Sequence, residues 1–350
     1  MTYDQRMQRI SRSMTTFGYQ VLLVGRTLNT SLPLQEEPFR QHRLNCWWQK
    51  GKLFYFEYNI RLFFFLLWQT FDGVCAIDLD TMPAAFFAAR LKQKKIIYDA
   101  HEYFPEVPEV IERPAVQRFW RWIEKTFVPR CDAVYATTRG IADIFSKQYQ
   151  INCAVVRNLP VLREQPNLPR EPRTLLYQGT LNEGRGLEAL ITAMTQLDAQ
   201  LWLAGEGDCS NALRQLAQQC GVTHKVHFLG RITPGALRDL TARATIGMNL
   251  LEHKGMSYYL SLANKFTDYA HAGLPQICIS FPEYQRINQQ WEIALLIHQT
   301  EPDTIVSAVN RLLNDEALYH HLQQQALACR TVLNWQEESK LLKPLYDQLF

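Results

Sequence analysis

The sequence predicts an α/β protein of two Rossmann-like halves, each a parallel sheet with helices on both faces. Three observations lead there. Short apolar runs alternate with amphipathic stretches along almost the whole chain. A stretch from Pro160 to Pro172 with four prolines splits that alternation in two. At 350 residues, 47% apolar and 20% charged, the chain is long enough to bury two cores. The expected layout is an N-terminal domain over 1–160, a linker over 161–172, a second domain over 173–335 and a terminal helix over 336–350. That helix is expected to pack back toward the first domain.

In the first half, Met7, Ile10 and Met14 share one face of a helix predicted over 5–17, and Gly18 stops it. A buried strand follows over 19–25. A helix followed by such a strand is the second part of a βαβ unit, so the first strand is missing. The expectation is that the natural reading frame begins upstream. Residues 29–49 read as irregular. The aromatic-rich stretch 51–68, with Lys50, Lys52 and Arg61 at its ends, reads either as a core helix or as a helix lying on a membrane surface. Strands are predicted over 73–79, 95–99, 132–137 and 153–157, with helices over 83–91, 113–127 and 140–149 between them. Asp78, Asp80, Asp99, His101, Glu102, Thr137 and Asn158 collect at or just past the carboxyl ends of these strands, where ligands of such sheets bind.

The second half repeats the pattern. Strands are predicted over 174–178, 200–204, 225–229, 245–250, 276–280 and 293–298. Helices are predicted over 187–195, 209–220, 234–243, 302–314, 317–333 and 336–350. The stretch from Ser257 to Pro275 reads as a loop feeding a helix, with Ser261 as N-cap and Gly273 and Pro275 as stop. Asn264, Lys265 and Asp268 fall in its first two turns. There the backbone N–H groups and Lys265 suit a phosphate, and Asp268 suits a sugar hydroxyl. An ordinary surface helix is the alternative.

Charge and cysteine usage narrow the setting. Residues 1–160 are net basic and the remainder net acidic, within an overall charge of +3. A basic half suggests an acidic partner such as anionic lipid, or carries no role at all. The eight cysteines include no C-x-x-C pair, which argues against a zinc ribbon and a disulfide scaffold. No apolar run approaches the ~18 residues of a membrane span. A cytoplasmic location is expected, with the inner face of the plasma membrane as the site of any lipid contact. Nothing suggests nucleic acid.

Among the motifs, the loop Gly179-Thr180-Leu181-Asn182-Glu183-Gly184-Arg185-Gly186 joins a predicted strand to a helix. Such Gly-rich turns expose N–H groups to phosphate, and Arg185 can clamp it. It is neither a P-loop nor G-x-G-x-x-G. Asp78 and Asp80 could hold Mg²⁺ or Mn²⁺, but they lie in the half not expected to hold a nucleotide, and no metal is expected. His101 beside Glu102 could hydrogen-bond a sugar hydroxyl, move a proton, or be structural.

Together these residues resemble the GT-B glycosyltransferases, specifically the retaining GT4 group, over nearly the whole chain. That family grips the donor diphosphate with a Gly-Arg-Leu-x-x-x-Lys-Gly loop. Residues 179–186 are similar, with Thr180 in place of the Arg and Arg185 in place of the Lys. Asp268, ahead of Gly273-Leu274-Pro275, matches the second acid of the family's acidic-x₇-acidic motif, which binds the donor ribose. The first acid should stand at Leu260 and does not. Asn264 and Lys265 resemble an Asn-Lys pair that supplies phosphate and sugar contacts. The resemblance also implies contact with the base through the backbone of Arg231 and Ile232, His101 facing the donor sugar as the catalytic candidate, and Glu252 or Glu102 as possible sugar contacts. Asp4-Gln5-Arg6 and Tyr98–Glu102 fit the family's N-terminal half.

The resemblance implies a GT-B fold whose two Rossmann-like domains face a central cleft, with the first strand of the N-terminal domain missing. It implies a retaining, metal-independent transfer from a nucleotide-sugar donor to a glycan or lipid-linked acceptor, in polysaccharide or glycolipid synthesis and without a cofactor. The alternatives are a degenerate nucleotide-sugar-binding or partner subunit, suggested by Thr180 and Leu260, and a nucleotide-sugar epimerase.

Overall fold

The computed structural model describes residues 4–29, 31–166 and 168–350. The first three residues, Thr30 of the expected irregular stretch and Asn167 of the expected linker lie outside them. The chain forms two compact units. One comprises Met1–Asn158 with Trp335–Phe350, the other Leu159–Asn334.

In the first unit, α1 (Gln5–Thr16) is capped by Asp4, whose carboxylate accepts the Met7 N–H at 3.0 Å. Strands β1 (Leu22–Arg26) and β2 (Arg40–Leu44) pair in parallel. The β2 strand lies in the stretch read as irregular. Its sequence Arg-Gln-His-Arg-Leu buries only Leu44, so it carries almost no apolar signal. Helix α2 (Gly51–Trp68) follows, then β3 (Gly73–Ile77), α3 (Asp78–Leu91) and β4 (Lys95–Ala100). The short α4 (Pro108–Ile111), then α5 (Pro114–Phe127), β5 (Ala133–Ala136), α6 (Arg139–Tyr149) and β6 (Cys153–Val155) complete the run. Strands β3, β4, β5 and β6 form a second all-parallel sheet in that order. Between β1 and β3 lies a cavity of about 310 Å³, bordered by Leu23–Arg26 on one side and Ile77 on the other.

Helix α3 starts five residues before its predicted start. Asp78 turns the chain with a φ of 53°, so Asp78 and Asp80 sit in the first turn of a helix instead of at a strand end. Pro83 lies inside α3, where its ring opens the turn that would join the Ala84 N–H to the Asp80 carbonyl. Asn59 of α2 takes both: its Oδ1 accepts from Ala84 N–H at 3.1 Å and its Nδ2 donates to Asp80 O at 2.8 Å. Asn59→Leu should therefore cost about 2–4 kcal/mol by leaving two buried backbone groups unmet. Denaturant unfolding checks this, with the midpoint expected to fall.

In the second unit, β7 (Thr174–Gln178), β8 (Gln200–Ala204), β9 (Val226–Gly230), β10 (Ile246–Asn249), β11 (Gln276–Ile279) and β12 (Ala294–Ile297) form one parallel sheet. Its order is β9-β8-β7-β10-β11-β12, that of a doubly wound sheet whose strand order reverses between β7 and β10. The sheet carries α7 (Leu187–Ala193), α8 (Ser210–Gln219), α9 (Pro234–Arg243), α10 (Gly255–Tyr259), α11 (Asn264–His271), α12 (Pro282–Trp291), α13 (Pro302–Asn314) and α14 (Glu316–Cys329). Leu175, Leu201, Ile246 and Ile277 from four strands meet Leu190, Leu213 and Val309 in its core.

Residues 161–172 were expected to link two domains. Their C-terminal part is fastened to the second unit, with Arg170 donating to the carbonyls of Ala244 and Gly273 at 2.5 and 2.7 Å. The expected single terminal helix is broken into α15 (Trp335–Glu338), a 3₁₀ turn and α16 (Leu342–Asp347). Pro344 explains the restart, since proline is tolerated in a first helical turn and not deeper. These residues belong to the first unit. The buried Glu338 carboxylate accepts from the Arg157 backbone and guanidinium, and Trp335 Nε1 donates to Ser13 at 3.0 Å.

Candidate active site

In the second unit the predicted donor residues gather where the strand order reverses. The Gly179–Gly186 loop leaves β7, and residues 250–264 leave β10. Two close approaches shape this end of the sheet. A side chain at Gly205 would overlap the Gly179 carbonyl, and one at Gly186, whose φ is 67°, would overlap the Leu250 carbonyl. Tyr177 ends its ring under the loop and donates its hydroxyl to Thr180 O at 2.8 Å.

Two cations occupy the space so formed. Lys265 is buried, with its Nζ 3.6 Å from the centroid of the Tyr177 ring and close to Gly179. The Arg185 guanidinium lies over the Tyr258 ring at 4.6 Å, and its Nε is buried without a hydrogen-bond partner. Among the described residues neither forms an ion pair. Burial, and after it the charge of Arg185, push the Lys265 ammonium well below the usual lysine range. An uncompensated buried cation is costly. An anion with several oxygens, such as a diphosphate, would satisfy both groups at once.

The other donor candidates surround this pair. Asp268 accepts from Gln178 Nε2 at 2.9 Å, and Gln178 Oε1 accepts from Thr241 Oγ1 at 2.9 Å, so a buried amide orients the carboxylate. Arg231 and Ile232 follow β9, whose last residue, Gly230, bridges to Gly205. Arg231 is exposed. The Glu252 carboxylate accepts the Gly186 N–H and its pKa is raised, chiefly by burial, so it holds the loop rather than standing free. Asn264 is exposed at the first position of α11.

Ser261 does not cap this helix. The expected continuous loop is split by α10, Ser261 Oγ donates back to Tyr258 O at 2.8 Å, and Ala263 stands at the N-cap. Leu260, where an acid was looked for, is buried.

In the first unit His101 sits in a charged cluster at the end of β4. Its Nε2 lies 3.2 Å from Asp99 Oδ2, its Nδ1 4.0 Å from Asp78 Oδ2, and its backbone N–H donates to Asp78 Oδ1 at 2.9 Å. Arg6 of α1 faces the fully buried Asp99, with Nη2 2.8 Å from Oδ1, and also donates to Val156 O at 2.9 Å. Burial alone would raise the Asp99 pKa, but Arg6 and His101 overcome it and hold the carboxyl at about 2. Burial would lower the imidazole, but Asp99 and Asp78 lift it to about 9. Burial raises Asp78 to about 8 against the pull of His101, and raises Asp80 to about 6. Glu102 is exposed next to the cluster. Among the described residues no three His, Cys, Asp or Glu side chains group as metal ligands.

At neutral pH His101 is thus an imidazolium, able to donate and not to accept a proton. Its contribution to stability should be complete below its unfolded pKa of about 6.5 and disappear as pH rises through about 9. Titrating the His101 ring by NMR should show a midpoint above 8, moving down toward ~6.5 in Asp99→Asn.

Family models settle the class. One for glycosyl transferases group 1 matches residues 160–328, and one for glycosyltransferase family 4 matches residues 5–159. Together they run without a break over most of the chain. The chain belongs to the GT4-like glycosyltransferases of GT-B fold. A sucrose-phosphate synthase from Thermosynechococcus elongatus has the same fold, with a TM-score of 0.82 at 18% identity over 98% of this glycosyltransferase and 92% of that chain. HepE of Anabaena, in complex with UDP and glucose, gives 0.75 at 13% identity over 98% and 95% of the two chains. WaaG, a glycosyltransferase involved in lipopolysaccharide biosynthesis, gives 0.67 at 13% over 97% and 95%. In sequence, an uncharacterized glycosyltransferase of Methanocaldococcus jannaschii is 28% identical over 162 residues, 45% of this chain. The match spans 40% of that relative's length.

Sequence reasoning missed the residues that hold the glycosyltransferase site in place. Gln178, the one polar side chain at the end of an apolar strand, carried a readable signal. Arg6, already noted within Asp4-Gln5-Arg6, carried a further signal as a charge on the apolar face of α1. Tyr177 and Tyr258 carried none, because aromatic residues at those positions read as ordinary core.

Proposed function

We propose that this glycosyltransferase moves a sugar from a nucleoside-diphosphate donor to a glycan or lipid-linked acceptor, with retention and with cations of the protein taking the role of a metal. The observation that carries this reading is the pair Arg185 and Lys265, brought together at the switch point of the sheet without an acidic partner. As the bond from the sugar to the diphosphate breaks, negative charge grows on the leaving oxygens. Fixed cations in a water-poor site stabilise that charge most. The acceptor hydroxyl attacks the face from which the diphosphate leaves, and its proton passes to the departing oxygen. Asp268, oriented by Gln178, takes the ribose hydroxyls. Arg231 and Ile232 meet the base through their backbone. The His101 imidazolium donates to a sugar hydroxyl, with Glu102 beside it.

HepE of Anabaena has been captured with UDP and with UDP-glucose, which makes UDP-sugars the first donors to try. The test is nucleotide release from a panel of UDP-, GDP- and ADP-sugars with and without glycan acceptors. One donor class should give nucleoside diphosphate together with a glycosylated product whose anomeric configuration is retained. Binding without release would point instead to a nucleotide-sugar-binding subunit, and an altered sugar still on its nucleotide to an epimerase.

A further inference from the structure

Helix α2 carries apolar side chains all round its circumference, with Lys52, Glu57, Asn59 and Arg61 as its polar exceptions, a pattern close to that of a fully buried helix. It is buried on one side only. Phe54, Tyr58, Leu62 and Leu66 pack inward with Leu44, Ala84 and Ala88. On the opposite side Phe56 is 66% exposed, Phe64 51% and Trp68 83%. Helices α3 and α5 adjoin it: Asn59 joins α2 to α3, the Tyr55 and Trp120 rings meet at 5.5 Å, and Phe86 meets Phe127 at 5.0 Å. Both neighbours also present large rings to solvent, Phe87 on α3 and Phe119 and Trp122 on α5. Such a concentration is far from the scattered apolar residues of an ordinary surface.

The charges on the same three helices are sorted by sign. Lys52, Arg90, Arg118, Arg121 and Lys125 are exposed, Arg121 being paired with Glu106 outside these helices. Glu57 and Glu124 are buried, Glu57 accepting from the Trp47 and Trp48 N–H groups and Arg61, and Glu124 from the Tyr149 hydroxyl. The remaining acids, Asp78 and Asp80, lie in the first turn of α3 beside His101. Aromatic rings flanked by exposed cations, with the acids turned inward, suit the boundary of an anionic bilayer. A second copy fits worse, since a two-fold contact would set this cationic face against itself.

We propose that the outer face of α2, α3 and α5 docks the first unit on an anionic lipid surface. This goes beyond the transfer reaction and does not depend on it, because vesicle binding is measured without donor or acceptor. The test is flotation of the full chain with phosphatidylcholine vesicles and with phosphatidylglycerol-rich ones. The chain should float with the anionic vesicles, and high salt should weaken that binding. The triple variant Phe56→Ser, Phe64→Ser, Trp122→Ser should float roughly tenfold less while keeping its melting temperature. Because these side chains are exposed, loss of folding is not expected, and a second set, Arg118→Gln with Lys125→Gln, weakens binding without touching the rings. The proposal is overturned if anionic vesicles capture no more protein than neutral ones, if the triple variant floats like the parent, or if the rings instead hold a lipid-free dimer seen by size exclusion.

Discussion

Lys265→Met should lower kcat by about 10²–10³-fold, the loss seen when a fixed group that stabilises transition-state charge is removed. Methionine keeps an unbranched apolar stem over Tyr177, so the packing survives and only the charge goes. Arg185→Gln should lose a similar factor. The same Lys265→Met change should raise the melting temperature, because burying an amine beside Arg185 without a counter-ion costs the fold either its desolvated charge or its proton. Steady-state kinetics and calorimetric melting of one variant therefore move in opposite directions. A merely structural lysine would lose stability along with activity. Lys265→Arg is not a safe control, since a planar fork does not occupy the space of a point charge.

The second large effect lies in the other unit. Arg6→Met should destabilise the protein by about 3–5 kcal/mol, because it strips the fully buried Asp99 carboxylate of its guanidinium partner and leaves it His101 alone. For a unit of this size that is roughly 10 °C in melting temperature. Adding Asp99→Leu should recover most of the loss, since removing both charges is far cheaper than removing one. The pair also sets an acid limit. Asp99 has a depressed pKa, so its contribution is present above the unfolded value of about 3.9 and is lost as pH falls toward about 2. Thermal melts from pH 5 downward should show the parent declining and the double variant, lacking this carboxylate, declining less.

The legible part of the fold was whatever buries apolar side chains with a period. β4 and β7 announce themselves through the runs Ile96-Ile97-Tyr98 and Leu175-Leu176-Tyr177, because parallel strands are covered on both faces. β2 was not legible, since hydrogen bonds to β1 hold a strand that buries one residue of five. The early start of α3 was hidden because it depends on a positive φ at Asp78 and on Asn59 mending the proline break from another helix. In the site, Arg185, Lys265 and Asp268 were legible as charged groups at strand and helix ends. The network that aims them was not, because Gln178, Thr241, Tyr177 and Tyr258 act through contacts between segments far apart in sequence. Ser261 shows the reverse error, a residue type suited to capping whose hydroxyl found a nearer carbonyl.

Calorimetric titration of UDP, GDP and ADP into the wild-type chain, repeated in buffers of different ionisation enthalpy, bears most directly on an anion site at Arg185 and Lys265. One nucleotide should bind with uptake of a proton, because a diphosphate beside Lys265 raises the pKa that burial and Arg185 lower. Its affinity should fall as pH rises toward the ordinary lysine value of about 10.4. Lys265→Met should bind more weakly and take up no proton. Absence of binding by all three nucleotides, or binding that is equally tight and equally proton-linked in Lys265→Met, would contradict the assignment.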